Sequence, residues 1–248
     1  MLLKTAVLIL AVSISSVVSS RAHAQPMPVQ EVGLLPGDLT VTPATHSQQD
    51  HAIAKGGNQY LAVWMDTRGQ SVGGGANQSG MDIFAIRLDL AGNPIDTAPF
   101  PVCVAAGWQQ TPKVTWNGQQ WLVTFYSQDP TEYYYQNNVR GVRVTPDGQV
   151  VDTTPLTLIE NQQWWWIGGQ EGQWLLTWTL YHEDGYGTYL AGRRLGNDGQ
   201  FLDPAPIMLM DWTYLSSGNN VLAANGEYLV VGQDRIGIRT TTRPGASA

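Results

Sequence analysis

Apolar residues in this chain alternate with period two, and the alternating runs recur in blocks about 56 residues apart. Tyr60-Leu-Ala-Val-Trp64, Trp121-Leu-Val-Thr-Phe125, Trp174-Leu-Leu-Thr-Trp178 and Tyr228-Leu-Val-Val-Gly232 share an aromatic anchor, then Leu, then strand-favouring residues. Each follows a glycine turn, at Gly57, Gly118, Gly172 and Gly226. In the first of them Tyr60, Ala62 and Trp64 fall on one side and Leu61 and Val63 on the other, so both faces are apolar. A strand of that kind lies between two packed layers. The spacing predicts that Trp64 is buried between neighbouring sheets.

A second shared segment follows each anchor strand: Asp82 to Leu88, Asn138 to Val144, Tyr189 to Leu195 and Asp234 to Thr240, with an arginine at the same place in each (Arg87, Arg143, Arg194, Arg239). Turn signals come next in the first three, among them Asp147-Gly148 and Asn197-Asp198-Gly199. Short apolar strands then close the units at Phe100–Val104, Leu156–Ile159 and Ile207–Met210. With the segments before the glycine turns, this makes about four short strands per unit. No helical period of useful length appears after the N-terminal segment. A fixed repeat of this size marks stacked or radially arranged units, and four-stranded units around an axis describe a β-propeller.

The expected fold is therefore all-β, a propeller of about four four-stranded blades, with units near residues 39–99, 100–155, 156–206 and 207–240. The fourth unit lacks its tail, while Gly33 to Val41 reads like that tail. Residues 30–38 and the strand they lead into are expected to complete the last unit, close the ring and hide its open edge. A truncated larger propeller and two chains joined are the alternatives.

Composition changes the picture at the N-terminus. Met1 to Ala24 carries one early cation, an apolar run and a small-x-small end at Ala22-His23-Ala24, the pattern of a cleaved export signal. Cleavage near Ala24 predicts a secreted or periplasmic product, a single propeller domain over 25–248. That product holds 11 basic against 20 acidic side chains, which argues against nucleic acid as a partner. No later apolar run reaches the roughly 20 residues of a membrane span. The lone Cys103 makes no internal disulfide.

The repeat resembles secreted bacterial propeller repeats of the type Gly-x-x-Tyr-Leu-Val-Val-Trp, Asp-Ile-x-x-x-Arg, Gly-x-x-Leu-Asp, and is distantly similar to the Asp-box propellers that include sialidases. The resemblance covers residues 33 to 240 and implies a propeller. Thr145-Pro-Asp147-Gly148 and Asn197-Asp198-Gly199 keep the Asp-Gly core of the Asp box without its tryptophan, and four units are fewer than the six blades of a sialidase. The sialidase arginine triad and tyrosine nucleophile match no position here, so the resemblance assigns no catalytic residue.

Candidate chemistry gathers where the inner strands would begin. Gln49, Gln110, Gln163 and Ser217 each lie eleven residues before an anchor, neighboured by Trp108, Trp164 and Trp212. Amides beside flat aromatic faces suit sugars; backbone hydrogen bonding between units is the other reading of the glutamines. Acids recur after the anchor strands at Asp66, Asp129, Glu183 with Asp184, and Asp234. Together they form either an acidic rim able to bind a cation or serve a glycoside, or a set of solvated turn acids. The repeated arginines are expected to be structural partners of the recurrent acids.

Other motifs are set aside. Gly69-Gln-Ser71-Val-Gly73 matches a hydrolase elbow, but the glycines after it oppose the required helix. His46, Asp50 and His51, and the run His182-Glu183-Asp184, are too sparse for a metal. In Tyr133–Tyr135 and Trp164–Trp166 at most two rings of each triplet can share an exposed face. No cofactor or metal is expected. The leading function is a noncatalytic interaction module with carbohydrate as the suggested ligand and a protein partner as the substitute. A glycoside hydrolase-like enzyme using loop carboxylates, or a structural domain, stands against it.

Overall fold

The computed structural model describes residues 47–68, 79–128, 138–162, 164–183, 187–211, 220–233 and 238–244, with backbone alone at 79, 220 and 232–244. The export segment, Gly33 to Val41 and the Gly69–Gly73 motif lie outside these residues, as do Tyr133–Tyr135. Every regular element among the described residues is a strand.

Three successive sheets each have four antiparallel strands. The first holds β1 (Gln48–Gly56), β2 (Gln59–Asp66), β3 (Ser79–Asp89) and β4 (Phe100–Cys103). The second holds β5 (Gly107–Trp116), β6 (Trp121–Gln128), β7 (Asn138–Val144) and β8 (Leu156–Ile159). The third holds β9 (Trp165–Gln170), β10 (Gln173–Tyr181), β11 (Thr188–Gly196) and β12 (Ile207–Met210). The fourth has three strands among the described residues, β13 (Asn220–Ala224), β14 (Glu227–Gln233) and β15 (Ile238–Pro244). We call these sheets blades 1 to 4.

Turn chemistry sets the register. Asn225 and Gly226 have φ of 54° and 77°, the mirror-image turn whose twist matches antiparallel strands, and they place Ala224 opposite Glu227. Further out, the glycine turns after the third strands of blades 1 to 3 carry a repeated clasp. The Arg87 backbone N–H donates to Asp96 Oδ2 at 2.7 Å and its Nη2 to Oδ1 at 2.5 Å. Arg143 with Asp152 and Arg194 with Asp203 repeat it. The arginines are thus structural, but their partners are the acids nine residues on rather than those after the anchor strands. Two of them also reach the next blade: Arg87 Nη1 donates to Pro146 O at 2.9 Å, and Arg143 Nη1 to Asn197 O at 2.8 Å.

The fourth arginine breaks the series. Arg87, Arg143 and Arg194 lie opposite Leu61, Leu122 and Leu175, each one past its anchor, whereas Arg239 lies opposite Gly232 and Thr242 takes the equivalent place beside Leu229. The connection from β14 to β15 spans only residues 234–237, and this register extends the ladder over seven pairs.

The inner strands β1, β5, β9 and β13 pack side by side in chain order. Three apolar clusters fill the three junctions. Leu61 and Val63 meet Trp121, Val123 and Phe125; Leu122 meets Trp165, Trp174 and Leu176; Leu175 meets Val221, Tyr228 and Val230. Strands apolar on both faces are explained by this sandwiching. Among the described residues no comparable packing returns from β13 to β1, so the ring expected from the repeat is not closed here. Trp64 is correspondingly only partly buried, against the expectation that it lies between sheets. Among the described residues no preceding blade packs on its face of blade 1.

Candidate functional site

Propeller blades gather chemistry at one end, where inner strands start, second strands finish and third strands begin. Gln49 and Gln110 hold equivalent places there. Each directly precedes a residue in left-handed conformation, Asp50 (φ 49°) and Thr111 (φ 51°), inside a bulge of its strand. Bulges re-aim side chains at sheet ends, which gives the repeated glutamine a structural setting. The two amides nevertheless differ. Gln49 is exposed and donates to Ser47 Oγ at 2.6 Å, whereas Gln110 is partly buried and donates to Met81 Sδ at 3.3 Å.

Trp108 stands on β5 beside Met81 in a short parallel bridge between β3 and β5, and is 44% exposed. Its ring lies over Gly80, where an added Cβ would come within 2.4 Å of Cδ1. Trp164, immediately before β9, is 49% exposed, while Trp165 is buried and donates to Thr124 Oγ1 at 2.8 Å. The triplet of tryptophans divides between faces as strand alternation requires.

Asp66 is not a solvated rim acid, contrary to that reading of the sequence. It is fully buried at the end of β2. Burial would raise its pKa, yet the Arg68 side chain and backbone N–H and the Trp64 indole donate to it and hold it below the usual carboxylate value. Arg68 Nη2 lies 2.5 Å from Oδ2, Trp64 Nε1 3.1 Å from the same oxygen, and Arg68 N 2.9 Å from Oδ1. Arg68 also covers the Phe84 ring at 4.3 Å. A surface pair is thereby converted into a half-buried clip.

Directly opposite Asp66 in the β2–β3 register stands Asp82, also buried. Opposed side chains share a face, with Cβ atoms about 5 Å apart. Gln109, fully buried, has an amide orientation in which it donates to Met81 O at 2.8 Å and Asp82 Oδ1 at 3.3 Å. Cys103, opposite Ile83, is buried beside them; desolvation, with the Asp82 charge, pushes its thiol up to about 12. The sequence reading missed Asp82 and Gln109. Asp82 heads the second shared segment, and counting back through the β2–β3 hairpin from Arg87 opposite Leu61 would have paired it with Asp66.

Lys113 was likewise missed, although it is one of only two lysines after the N-terminal segment. It donates to Trp165 O and sits 4.6 Å and 5.4 Å from the ring centroids of Trp165 and Trp166. On blade 3, His182 Nε2 pairs with Asp211 Oδ1 at 2.7 Å. Gln163, Trp212, Ser217, Asp129, Asp184 and Asp234 lie outside the described residues. Trp108 and Gln110 therefore come together at Met81 between blades 1 and 2, while Asp66 and Gln49 lie at the same end of blade 1, Asp66 on the face that carries Trp64. Among the described residues no group of three or more His, Cys, Asp or Glu forms a metal cluster, and no helix is long and apolar enough to cross a membrane.

The architecture is all-β with propeller-like sheets, and it is similar to solved structures of distant sequence. A GH43_1 enzyme from Xanthomonas citri complexed with xylotriose aligns with 81% of this chain and 71% of its own, at 10% identity and a TM-score of 0.51. An endo-arabinase from Bacteroides thetaiotaomicron aligns with 78% of this chain and 73% of its own, at 9% identity and 0.47. The catalytic domain of a GH62 alpha-L-arabinofuranosidase from Coprinopsis cinerea aligns with 81% and 67%, at 13% identity and 0.43. No protein-family model and no curated protein matches the chain.

Proposed function

We propose that this protein engages carbohydrate at the end of its blades where the inner strands begin. The observation that carries the reading is the placement, at the start of β3, of the exposed Trp108 beside Met81 and of the buried carboxylate Asp82, next in sequence to Met81, opposite Asp66. A flat ring stacks on the apolar face of a sugar, amides both accept from and donate to its hydroxyls, and carboxylates accept from them. The fold neighbour described with xylotriose supports an oligosaccharide as the ligand class.

Of the two forms this takes, a glycoside hydrolase-like enzyme is the one the fold neighbours favour. It uses Asp66 and Asp82, the opposed pair of the β2–β3 hairpin, as its two carboxylates. Asp66, kept ionised by Arg68, takes the nucleophile or stabilising role. The noncatalytic form has its own support: both carboxylates are buried, and Asp66 already gives its oxygens to Arg68 and Trp64. Export after cleavage near Ala24 belongs to the same proposal, and N-terminal sequencing of protein from the culture medium, beginning at Gln25, tests it.

Reducing-sugar release and calorimetry on xylan, arabinan and short xylo- and arabino-oligosaccharides decide the rest. Hydrolysis lost in Asp82→Asn, with an unchanged melting curve, supports the enzyme. Binding without turnover, weakened at least tenfold by Trp108→Ala, supports the module. Neither turnover nor binding across the panel overturns the carbohydrate reading.

A further inference from the structure

Each internal junction of the four blades joins two different faces. One face of a blade carries the aromatic anchor; the other carries the leucine after it. Trp121, Trp174 and Tyr228 are all fully buried, because each anchor packs on the blade before it. Tyr60, the anchor of blade 1, is only partly buried, as are Ala62 and Trp64 on the same face. At the other end, Leu61, Leu122 and Leu175 are buried against the blade after them, while the equivalent Leu229 is only partly buried.

Inner-strand positions tell the same story. Val221 of blade 4 meets Gly168 of blade 3 so closely that an added Cβ would stand 2.6 Å from Val221 Cγ1. Ile53 holds the Val221 position in blade 1, and Leu222 holds the Gly168 position in blade 4, by their cross-strand partners. Both are 58% exposed. Turn contacts repeat the asymmetry: a Cβ added at Gly148 or Gly199 would meet Arg87 or Arg143 of the preceding blade, whereas one added at the equivalent Gly92 would meet nothing within 4 Å.

The geometry points to a second copy of this chain as the occupant of these faces, and we propose a head-to-tail pair. The Leu222–Leu229 face of one protomer covers the Ile53–Tyr60 face of its partner. The argument is continuity with the interfaces already present: the two uncovered faces are the two halves of the junction that occurs three times among the described residues. Both are apolar at the positions those junctions bury. Blade 4 brings Thr242 instead of arginine to the clasp position, so the contact rests on apolar burial without the guanidinium bridge. A heterologous contact of this kind closes when two copies use both ends, which leaves neither face open to solvent.

Sedimentation and light scattering of the purified full chain test the pairing over 1 to 100 µM. A mass twice that of the chain is expected, falling to the single-chain mass in Ile53→Glu and in Leu222→Glu. Both positions are exposed, so both variants keep the wild-type circular dichroism and melting curve at low concentration. A thiol-reactive bismaleimide should join Ile53→Cys protein to Leu222→Cys protein when the two are mixed; Cys103 is buried and gives little background. A single-chain mass at every concentration overturns the proposal. So does a double Cys variant that cross-links only within one chain, which would mean that the same chain closes on itself.

Discussion

Removing the anchor ring of blade 2 should cost far more than removing its counterpart in blade 1. Trp121 is fully buried among Val123, Phe125, Leu61 and Val63, with the Trp116 ring 4.8 Å away. Its edge also fills the space beside Gly56, where an added Cβ would meet Trp121 Cε2 at 2.6 Å. A rigid junction between two sheets collapses poorly around a lost ring, so Trp121→Ala belongs near the usual aromatic range, about 3 to 5 kcal/mol. One term offsets it: Trp121 Nε1 is buried with no acceptor among the described residues, and its removal relieves about 1 kcal/mol or more. Trp121→Phe, which removes that donor and keeps most of the ring, should cost less than half as much as the alanine variant.

Tyr60→Ala removes a ring covered on one side only and should cost about 1.5 kcal/mol. Urea unfolding followed by circular dichroism, in the Leu222→Glu background that stays a single chain, measures all three. For a chain of this size a loss of 3 to 5 kcal/mol lowers Tm by about 6 to 20 °C. Equal costs for Trp121→Ala and Tyr60→Ala would refute the assignment of covered and uncovered faces.

The other predictions concern titration and reactivity. Asp66 has a folded pKa below its ordinary 3.8, so its contribution is complete above that value and is lost as pH falls through the folded pKa. Stability measured from pH 6 to 2 should drop on the acid side, and Asp66→Asn should flatten the drop; an unchanged acid limb would count against the clip. Burial lowers the Lys113 amine from 10.5 to about 8, and between those values the unfolded chain holds more protons. Stability should therefore rise with pH across that window, less steeply than burial alone gives because the Trp165 carbonyl and the two rings favour the ammonium. Lys113→Met should remove the rise, and the same slope in both proteins would refute it. The Cys103 thiol, pushed up to about 12 by burial beside Asp82, should resist iodoacetamide in native protein at pH 8 and react after unfolding in urea; rapid native labelling would show the pocket to be open.

Local pattern alone determined the strands, their order within each blade and most turn positions. The period of two separates the faces of Trp164, Trp165 and Trp166, and the Asn225-Gly226 and Asp147-Gly148 turns fix hairpin register with few alternatives. The repeat also placed Gln49 and Gln110 at equivalent points, because each lies the same distance from an anchor that the hairpin holds fixed. Arg239 shows where the pattern stops: a shared motif predicted its register, but a short connection shifted β15 and put Thr242 in its place.

What only the tertiary structure decided is which apolar face meets another blade and which polar groups leave water. Trp64 and Trp121 belong to matching strands, yet among the described residues only the second has a blade on its anchor face, since burial depends on a neighbour about 60 residues away in sequence. Asp66 followed by Arg68 has the local look of a surface ion pair. It becomes a buried carboxylate because β3 lays Asp82 and Phe84 across it and Arg68 folds over the ring. Desolvation of that kind is a property of the assembled layers, and no spacing along the chain encodes it.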